Sequence, residues 1–172
     1  ARAVGLQKVY GEGDASVRAL DAVSVELAAG EFTAIMGPSG SGKSTLLGIA
    51  SGFVHADEGT VEIGGGRPRS GAPADARRLG LGMAYQTYSH VLDLSVAENL
   101  YLGAPPELRP RYGRMEAWAG ETLDGFDLDI PLTATTRTLS LVQRQLLEVV
   151  KALLAKPKVL LLDEPTTALG PD

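Results

Sequence analysis

The sequence predicts an α/β fold built on a mainly parallel sheet. Three features lead to this prediction: short apolar segments with strand character, a glycine-rich loop between one of them and a helix, and an almost wholly apolar run near the carboxyl end. Such a run suits a strand buried on both faces, as central strands of parallel sheets are. The order strand, glycine loop, helix, helical stretch, helix, strand is typical of α/β domains.

Each element is predicted from its own pattern. Alternation of apolar and polar residues at 23–27 predicts a half-buried strand, and the apolar run at 32–36 predicts a buried strand that ends at the glycine loop. Apolar residues at helical spacing predict helices over 44–52 and 139–155. The other predicted strands are 59–63, 81–85 and 159–162. The polar stretch 67–78 predicts a surface connection.

The predicted organisation is one domain with a helical insert. Residues 1–86 are expected to form the first part of a core, 87–139 a helical subdomain, and 140–172 the last helix and strand of the same core. The insert is predicted because apolar residues from Leu92 to Trp118 mark helical pieces separated by prolines. A length of 172 residues fits one domain of this kind.

Composition excludes several classes of protein. With 16 basic and 21 acidic side chains the net charge is −5, which argues against a nonspecific nucleic-acid surface. The absence of cysteine rules out disulfide scaffolds, thiolate zinc sites and thiol catalysis. No apolar stretch approaches the roughly 18 residues that a membrane span needs, and no signal peptide is expected at the start.

A glycine-rich loop lies between the predicted strand at 32–36 and the predicted helix at 44–52. It matches the pattern G-x-x-x-x-G-K-[ST], and its members are Gly37, Pro38, Ser39, Gly40, Ser41, Gly42, Lys43 and Ser44. Glycines let successive backbone N–H groups face one point, and the following helix adds its positive dipole end. Lys43 is expected to reach the β- and γ-phosphates and Ser44 to ligate Mg²⁺, so the loop predicts a nucleoside triphosphate site.

Two carboxylates follow the apolar strand at 159–162. The carboxyl ends of parallel strands are where α/β proteins bind their ligands. Asp163 is therefore expected to hold Mg²⁺, directly or through water. Glu164 is expected to be the general base that polarises the attacking water.

Together these motifs resemble the nucleotide-binding domain of ABC transporters, and the resemblance covers nearly the whole chain. It implies a P-loop NTPase core with an inserted helical subdomain, and ATP and Mg²⁺ as cofactors. Tyr10 resembles the aromatic residue that stacks on adenine, and Gln86 resembles the Q-loop glutamine that touches Mg²⁺ and the attacking water. Residues 139–143 stand where the signature L-S-G-G-Q belongs, and 166–169 resemble the D-loop.

The resemblance assigns the site residue by residue. The nucleotide-binding set is Tyr10, Gly37, Pro38, Ser39, Gly40, Ser41, Gly42, Lys43, Ser44 and Thr45. The metal-binding set is Ser44, Gln86 and Asp163, and the catalytic set is Glu164 and Gln86. Ser140 and Gln143 are expected to act in trans, on the γ-phosphate bound by the opposite protomer.

The sequence also departs from the family pattern. Leu141 and Val142 replace both signature glycines, which leaves the trans role of Ser140 open, and Gly170 stands where the D-loop usually has aspartate. The family's switch histidine is expected beyond Asp172, so the chain resembles a C-terminally truncated fragment with little activity of its own. His55 and His90 are assigned no role.

Segments 81–86, 94–103 and 146–153 resemble carbohydrate and nucleoside importer ATPases, whereas 17–21 and 30–40 are closer to lipoprotein-release and macrolide-export ATPases. The leading hypothesis is a peripheral ATPase at the cytoplasmic face of the membrane that powers import of a sugar or nucleoside. The implied partners are transmembrane permease subunits, a second ATP-binding domain in a homodimer or tandem, and a solute-binding protein. No nucleic-acid partner is expected.

Three alternatives stay open. The same chemistry can drive lipoprotein release or drug export. ABC-type ATPases of DNA repair or translation have no membrane partner, but zinc-bearing repair members need cysteines and chromosome-type members carry long heptads after the Q-loop, and this sequence has neither. The departures at Leu141, Val142 and Gly170 also allow a regulatory module that binds nucleotide without hydrolysing it.

Overall fold

The computed structural model describes residues 1–31, 33–84 and 89–163. Contacts divide the chain into two compact units, Ala1–Gly82 and Met83–Asp172. The first contains strands β1 (Arg2–Tyr10), β2 (Val17–Glu26) and β3 (Glu58–Glu62) and helices α1 (Lys43–Ala50) and α2 (Pro73–Arg78). Strand β4 (Leu81–Ala84) crosses the boundary, and the second unit contains helices α3 (Val96–Gly103), α4 (Met115–Asp124) and α5 (Leu141–Leu153) and strand β5 (Val159–Leu162).

The first unit is built on a three-stranded antiparallel sheet in the order β2–β1–β3. Leu6 in the central strand is fully buried and pairs with Val23 of β2. The core of this unit is formed by one apolar face of the sheet and one face of α1, with Ala3, Leu6, Leu20, Leu46 and Ile49 as its buried members. The strand predicted at 23–27 lies mostly in β2, and the predictions of a strand at 59–63 and of a helix at 44–52 are confirmed by β3 and α1.

Two segments of the first unit differ from the prediction. The predicted strand at 32–36 is wrong for its described part, because 33–36 adopt no regular structure and Met36 is 89% exposed. An apolar run becomes a strand only where a second strand satisfies its backbone groups. The predicted connection at 67–78 contains α2, a two-turn helix that starts with Pro73 and whose Asp75 pairs with Arg69 and Arg78. A helix this short has no apolar periodicity for sequence analysis to detect.

The second unit is helical around an apolar core. Residues at helical spacing on α3, α4 and α5 pack together with two residues of the segment between α4 and α5. The buried members on the helices are Val96, Ala97, Leu100, Met115, Ala119, Leu123, Leu147 and Val150, and those of the connecting segment are Ile130 and Leu139. Three 3₁₀ turns at Pro106–Leu108, Tyr112–Arg114 and Thr136–Thr138 connect these helices. The predictions of a helix at 139–155 and of strands at 81–85 and 159–162 are confirmed by α5, β4 and β5, and the two strands pair in a separate sheet. Within the described ranges no helix has the length and apolar character that crossing a bilayer requires.

One buried amide holds the loop before α3 in place. Asn99 is 2% exposed, and its Nδ2 donates to the carbonyl oxygen of Val91 at 3.0 Å and to Thr136 Oγ1 at 2.8 Å. Its Oδ1 accepts from the backbone N–H of Val91 at 2.8 Å. Because a buried polar group is costly unless it is bonded, this network fixes the loop at 91–95 against the segment that leads to α5.

Substitution of Leu147 on α5 tests the assignment of this helical core. Leu147→Ala should lower the free energy of unfolding by about 2–5 kcal/mol, because it removes a fully buried side chain from the centre of the helical core. Urea unfolding followed by circular dichroism measures the change. Leu141→Ala on the same helix is the matched control, since Leu141 is 59% exposed. Equal losses for the two variants would contradict the assignment of the core.

Candidate phosphate-binding site

The glycine loop turns directly into α1 in the first unit. Gly40 and Gly42 have φ angles of +80° and +89°, in the left-handed region that favours glycine. Gly42 is the residue just before the first turn of α1, and a Cβ at this position would clash with the carbonyl oxygen of Ala19 in β2. The backbone therefore requires glycine at position 42 both for its conformation and for its closeness to the neighbouring strand.

The ammonium group of Lys43 lies over the loop. Lys43 Nζ donates to the carbonyl oxygens of Gly37 at 2.6 Å and of Pro38 at 3.1 Å. The N–H of Ser41 also donates to the Pro38 carbonyl, at 3.2 Å, which closes the loop as a turn. The cation and the loop backbone thus face the same small region, and a phosphate oxygen placed there would offer Lys43 a stronger, charged acceptor than a carbonyl.

The start of α1 fits a phosphate group. The first N–H groups of any α-helix have no partner within the helix, and Gly42 has no side chain with which to cap them. The first turn, Lys43 to Thr45, contains no acidic residue that would compete with an anion for these groups. The positive end of the helix dipole adds to the attraction, so this donor set suits the phosphates of a nucleotide.

Tyr10 lies at the end of β1 and is 44% exposed. Lys8 Nζ is 5.4 Å from the centroid of that ring, within the range of a cation–π contact. Lys8 is itself held by Asp57 at 2.7 Å, and this hydrogen bond, with one from the N–H of Val9, lowers the pKa of the Asp57 carboxyl. The adenine contact of Tyr10 stays a prediction.

The acidic strand end lies in the second unit. Asp163 follows β5 and is partly buried, and its N–H donates to the carbonyl oxygen of Ala84 at 3.1 Å. Gln86, Glu164, the D-loop segment 166–169 and Gly170 lie outside the described residues. In the part of the chain that the structure describes, no three acidic or histidine side chains cluster as a ready-made metal site.

Ser140 is the N-cap of α5. Its Oγ accepts from the N–H of Gln143 at 3.2 Å, and Gln143 Oε1 accepts from the N–H of Ser140 at 3.0 Å. This reciprocal pair is a capping box. Its S-x-x-Q spacing is visible in the sequence, but the same two residues match the signature motif, from which a contact with phosphate in trans is predicted. Leu141 and Val142 lie between them and are exposed, so apolar side chains flank the predicted trans site.

The family profile described as ABC transporter matches residues 20–167. The chain belongs to the ABC transporter family. The ribose import ATP-binding protein RbsA of Rhodopirellula baltica is 39% identical over 156 residues, covering 89% of this chain and 30% of that protein. The arabinose import ATP-binding protein AraG of Paraburkholderia xenovorans is 40% identical over 156 residues, covering 90% of this chain and 30% of that protein. This chain thus spans less than a third of the length of these two curated relatives.

Solved structures of ABC cassettes share the fold. A nucleotide-free ATP-binding cassette from an ABC transporter matches with a TM-score of 0.80 and 31% identity, over 95% of this chain and 68% of that one. A dimeric cassette in a post-hydrolysis state with bound ADP and Pi matches with a TM-score of 0.82 and 28% identity, over 98% and 75%. The family resemblance and the P-loop NTPase fold predicted from the sequence are confirmed.

Gly42→Ala tests the backbone requirement of the predicted phosphate loop. The left-handed conformation alone should cost about 1–2 kcal/mol for a residue with a Cβ. Gly40→Ala is the matched control, because Gly40 is also left-handed but a Cβ there would meet nothing within 4 Å. We expect Gly42→Ala to lower the free energy of unfolding by clearly more than Gly40→Ala in urea titrations. Equal effects would mean that the approach to Ala19 imposes no constraint.

Proposed function

We propose that this chain is the nucleotide-binding part of an ATPase that powers import of a sugar, with pentoses as the first candidates. The observation that carries the proposal is the closed loop in which the Lys43 ammonium and the uncapped start of α1 converge. Such a site is built for the phosphates of a nucleotide. Support for the cargo comes from the ribose and arabinose import proteins to which the chain is similar.

The proposed roles of the residues follow the chemistry of each group. The loop backbone and Lys43 hold the phosphates, Thr45 extends the donor set into α1, and Tyr10 stacks on the base. A bound Mg²⁺ would supply charge neutralisation at the β- and γ-phosphates, and the Ser44 hydroxyl, the Asp163 carboxylate and the Gln86 amide have the oxygen atoms that this ion prefers. Glu164 would accept a proton from the attacking water.

We further propose that the chain works with membrane partners. Import requires permease subunits in the bilayer and a solute-binding protein that delivers the sugar, which places the ATPase at the cytoplasmic face. The dimeric ADP-bound cassette supports pairing with a second ATP-binding domain, in a homodimer or a tandem chain. In such a pair, Ser140 and Gln143 would approach the γ-phosphate held by the other domain.

Lys43→Ala tests the phosphate assignment. Loss of a charge-assisted contact worth about 1.5–3 kcal/mol should weaken binding of Mg·ATP by roughly 10- to 100-fold. Titration of a fluorescent ATP analogue measures the affinity. Lys158→Ala is the control, since Lys158 is an exposed lysine outside the loop. If both variants bind the analogue as tightly as the unmodified chain, the loop does not hold the phosphates.

Glu164→Gln tests hydrolysis and import. In a preparation that turns ATP over, the exchange should leave binding intact and slow hydrolysis by roughly 10²–10⁴-fold, because it keeps the shape of the side chain but removes the base. Uptake of labelled ribose and arabinose by cells that depend on the transporter should stop in the same variant. Unchanged hydrolysis would place the base elsewhere, and hydrolysis without pentose uptake in the unmodified protein would contradict the cargo.

A further inference from the structure

Four arginines lie close together in the segment that joins β3 to β4 in the first unit. Residues 63–80 contain one acidic side chain, in a chain whose net charge is −5. We call Arg67, Arg69, Arg77 and Arg78 the arginine patch, and all four are exposed. None of them belongs to the predicted nucleotide-binding set, so the proposed function leaves this local excess of positive charge without a role.

The carboxylate of Asp75 holds two of these guanidinium groups side by side. Its Oδ2 accepts from Arg69 Nε at 2.7 Å, and its Oδ1 accepts from Arg69 Nη2 at 3.3 Å and also from Arg78 Nη2. The hydrogen bonds from Arg69 and then from Arg78 lower the pKa of the Asp75 carboxyl, so it is ionised at neutral pH. One negative charge thus holds two positive charges together, and one positive charge remains uncompensated by it.

The acid lies beneath the two arginines that it holds. The side chain of Asp75 is 10% exposed, whereas those of Arg69 and Arg78 are 81% and 74% exposed. A guanidinium group carries five N–H donors and keeps its charge at any physiological pH. The N–H groups that do not bond to Asp75 can therefore meet an anion that approaches from solution.

The turn after β3 brings Arg67 to the same surface. Gly66, the residue before Arg67, lies so close to Leu79, the residue that follows α2, that a Cβ on the glycine would overlap the leucine side chain. Glu62 pairs with Arg67 at 3.8 Å, but Arg2 is closer to the same carboxylate oxygen, at 3.0 Å. Here too, one carboxylate is shared by two arginines.

The arginine patch is separate from the phosphate loop. Helix α1 begins at the loop with Lys43 and ends at Ala50, and its eight residues span about 12 Å. Beyond that end, a Cβ on Gly52 would be 2.9 Å from the carbonyl carbon of Ala72, the residue before α2. Helix α2 therefore starts near the end of α1 that is remote from the loop, and we expect the two positively charged regions to act independently.

We infer that the arginine patch is a contact surface for the anionic headgroups of a lipid bilayer. The inference rests on the proposed function, which places the chain beside a membrane. Arginine matches the oxygens of a phosphate group with paired hydrogen bonds, and clusters of basic side chains are attracted to anionic leaflets.

The exposure and the charge of the molecule favour this partner over two others. Sites for small molecules are concave and bury most of their ligand, whereas the guanidinium groups of the patch are largely exposed and suit an extended anionic surface. The net charge of −5 disfavours a nucleic acid, which would be repelled by the rest of the chain.

The experiment is co-sedimentation of the intact chain with vesicles of phosphatidylglycerol and phosphatidylcholine, and with vesicles of phosphatidylcholine alone as the neutral surface. We expect binding to the anionic vesicles only, and we expect added salt to weaken it. The double variant Arg67→Gln with Arg77→Gln should weaken this binding by roughly 10- to 30-fold, because two charges near the headgroups are lost. It leaves both arginine partners of Asp75 in place, so the local structure is kept.

The matched control is the double variant Arg18→Gln with Arg137→Gln. It changes the net charge by the same amount, and both arginines are exposed, lie outside the patch in the sequence and pair with exposed acids. We expect its vesicle binding to stay within about two-fold of that of the unmodified chain, because charges distant from the headgroups are screened. Both double variants should bind a fluorescent ATP analogue as the unmodified chain does.

The outcomes separate this inference from the proposed function. Equal binding to anionic and neutral vesicles, or binding to neither, would overturn the inference, and so would equal weakening in the two double variants. Binding to a polyglutamate resin without binding to anionic vesicles would show that the patch takes an acidic protein, and would overturn it as well. The analogue tests the proposed function by itself: if the unmodified chain does not bind it, the nucleotide site is wrong whatever the vesicles show.

Discussion

The predicted phosphate loop depends on one backbone constraint, the left-handed conformation of Gly42. At this residue the chain stops being a loop and becomes α1, and it does so directly against the carbonyl group of Ala19 in β2. The position of α1 relative to the sheet, the direction of its first N–H groups and the return of Lys43 over the loop all follow from that turn. The conformation of the eight-residue motif therefore depends on its contact with the neighbouring strand β2 as well as on its own sequence.

Local patterns predicted the elements that carry their own signal. Alternation at 23–27 predicted only the last part of β2, whereas the short strand predicted at 59–63 matches β3, the apolar run matches β5 and helical spacing predicted α5. Strand β1 was not predicted, because Gly5 and several shifts of register against β2 interrupt the two-residue period that identifies a strand. The segment 33–36 shows the opposite error, since its apolar residues have strand character but no pairing is described for them.

The residues of the candidate site and its surroundings also fall into two groups, those that a local sequence pattern predicts and those that it does not. The residues of the phosphate loop are contiguous, so their spacing alone predicted the turn, the helix start and the facing lysine. Ser89, by contrast, bonds to Glu148 and Lys151 on α5, which are 59 and 62 positions away in the chain, and no short pattern contains these contacts. Glu148 and Lys151 also looked ordinary on a helix, because charged residues usually mark its solvated face. Only the packing of the segment at Ser89 against α5 shows that these charges are buried.

The start of α5 forms although two residues of the signature motif differ from the family pattern. A capping box requires Ser140 at the N-cap and Gln143 three positions later, and it places no demand on the two residues between them. Leu141 and Val142 can therefore replace glycines without disturbing the start of α5, while their exposed side chains narrow the approach to it. Because the Ser140 hydroxyl already accepts from Gln143, a phosphate arriving in trans would have to compete with that bond or use the oxygen's second lone pair. The substitution thus acts on access to the helix start, not on its formation.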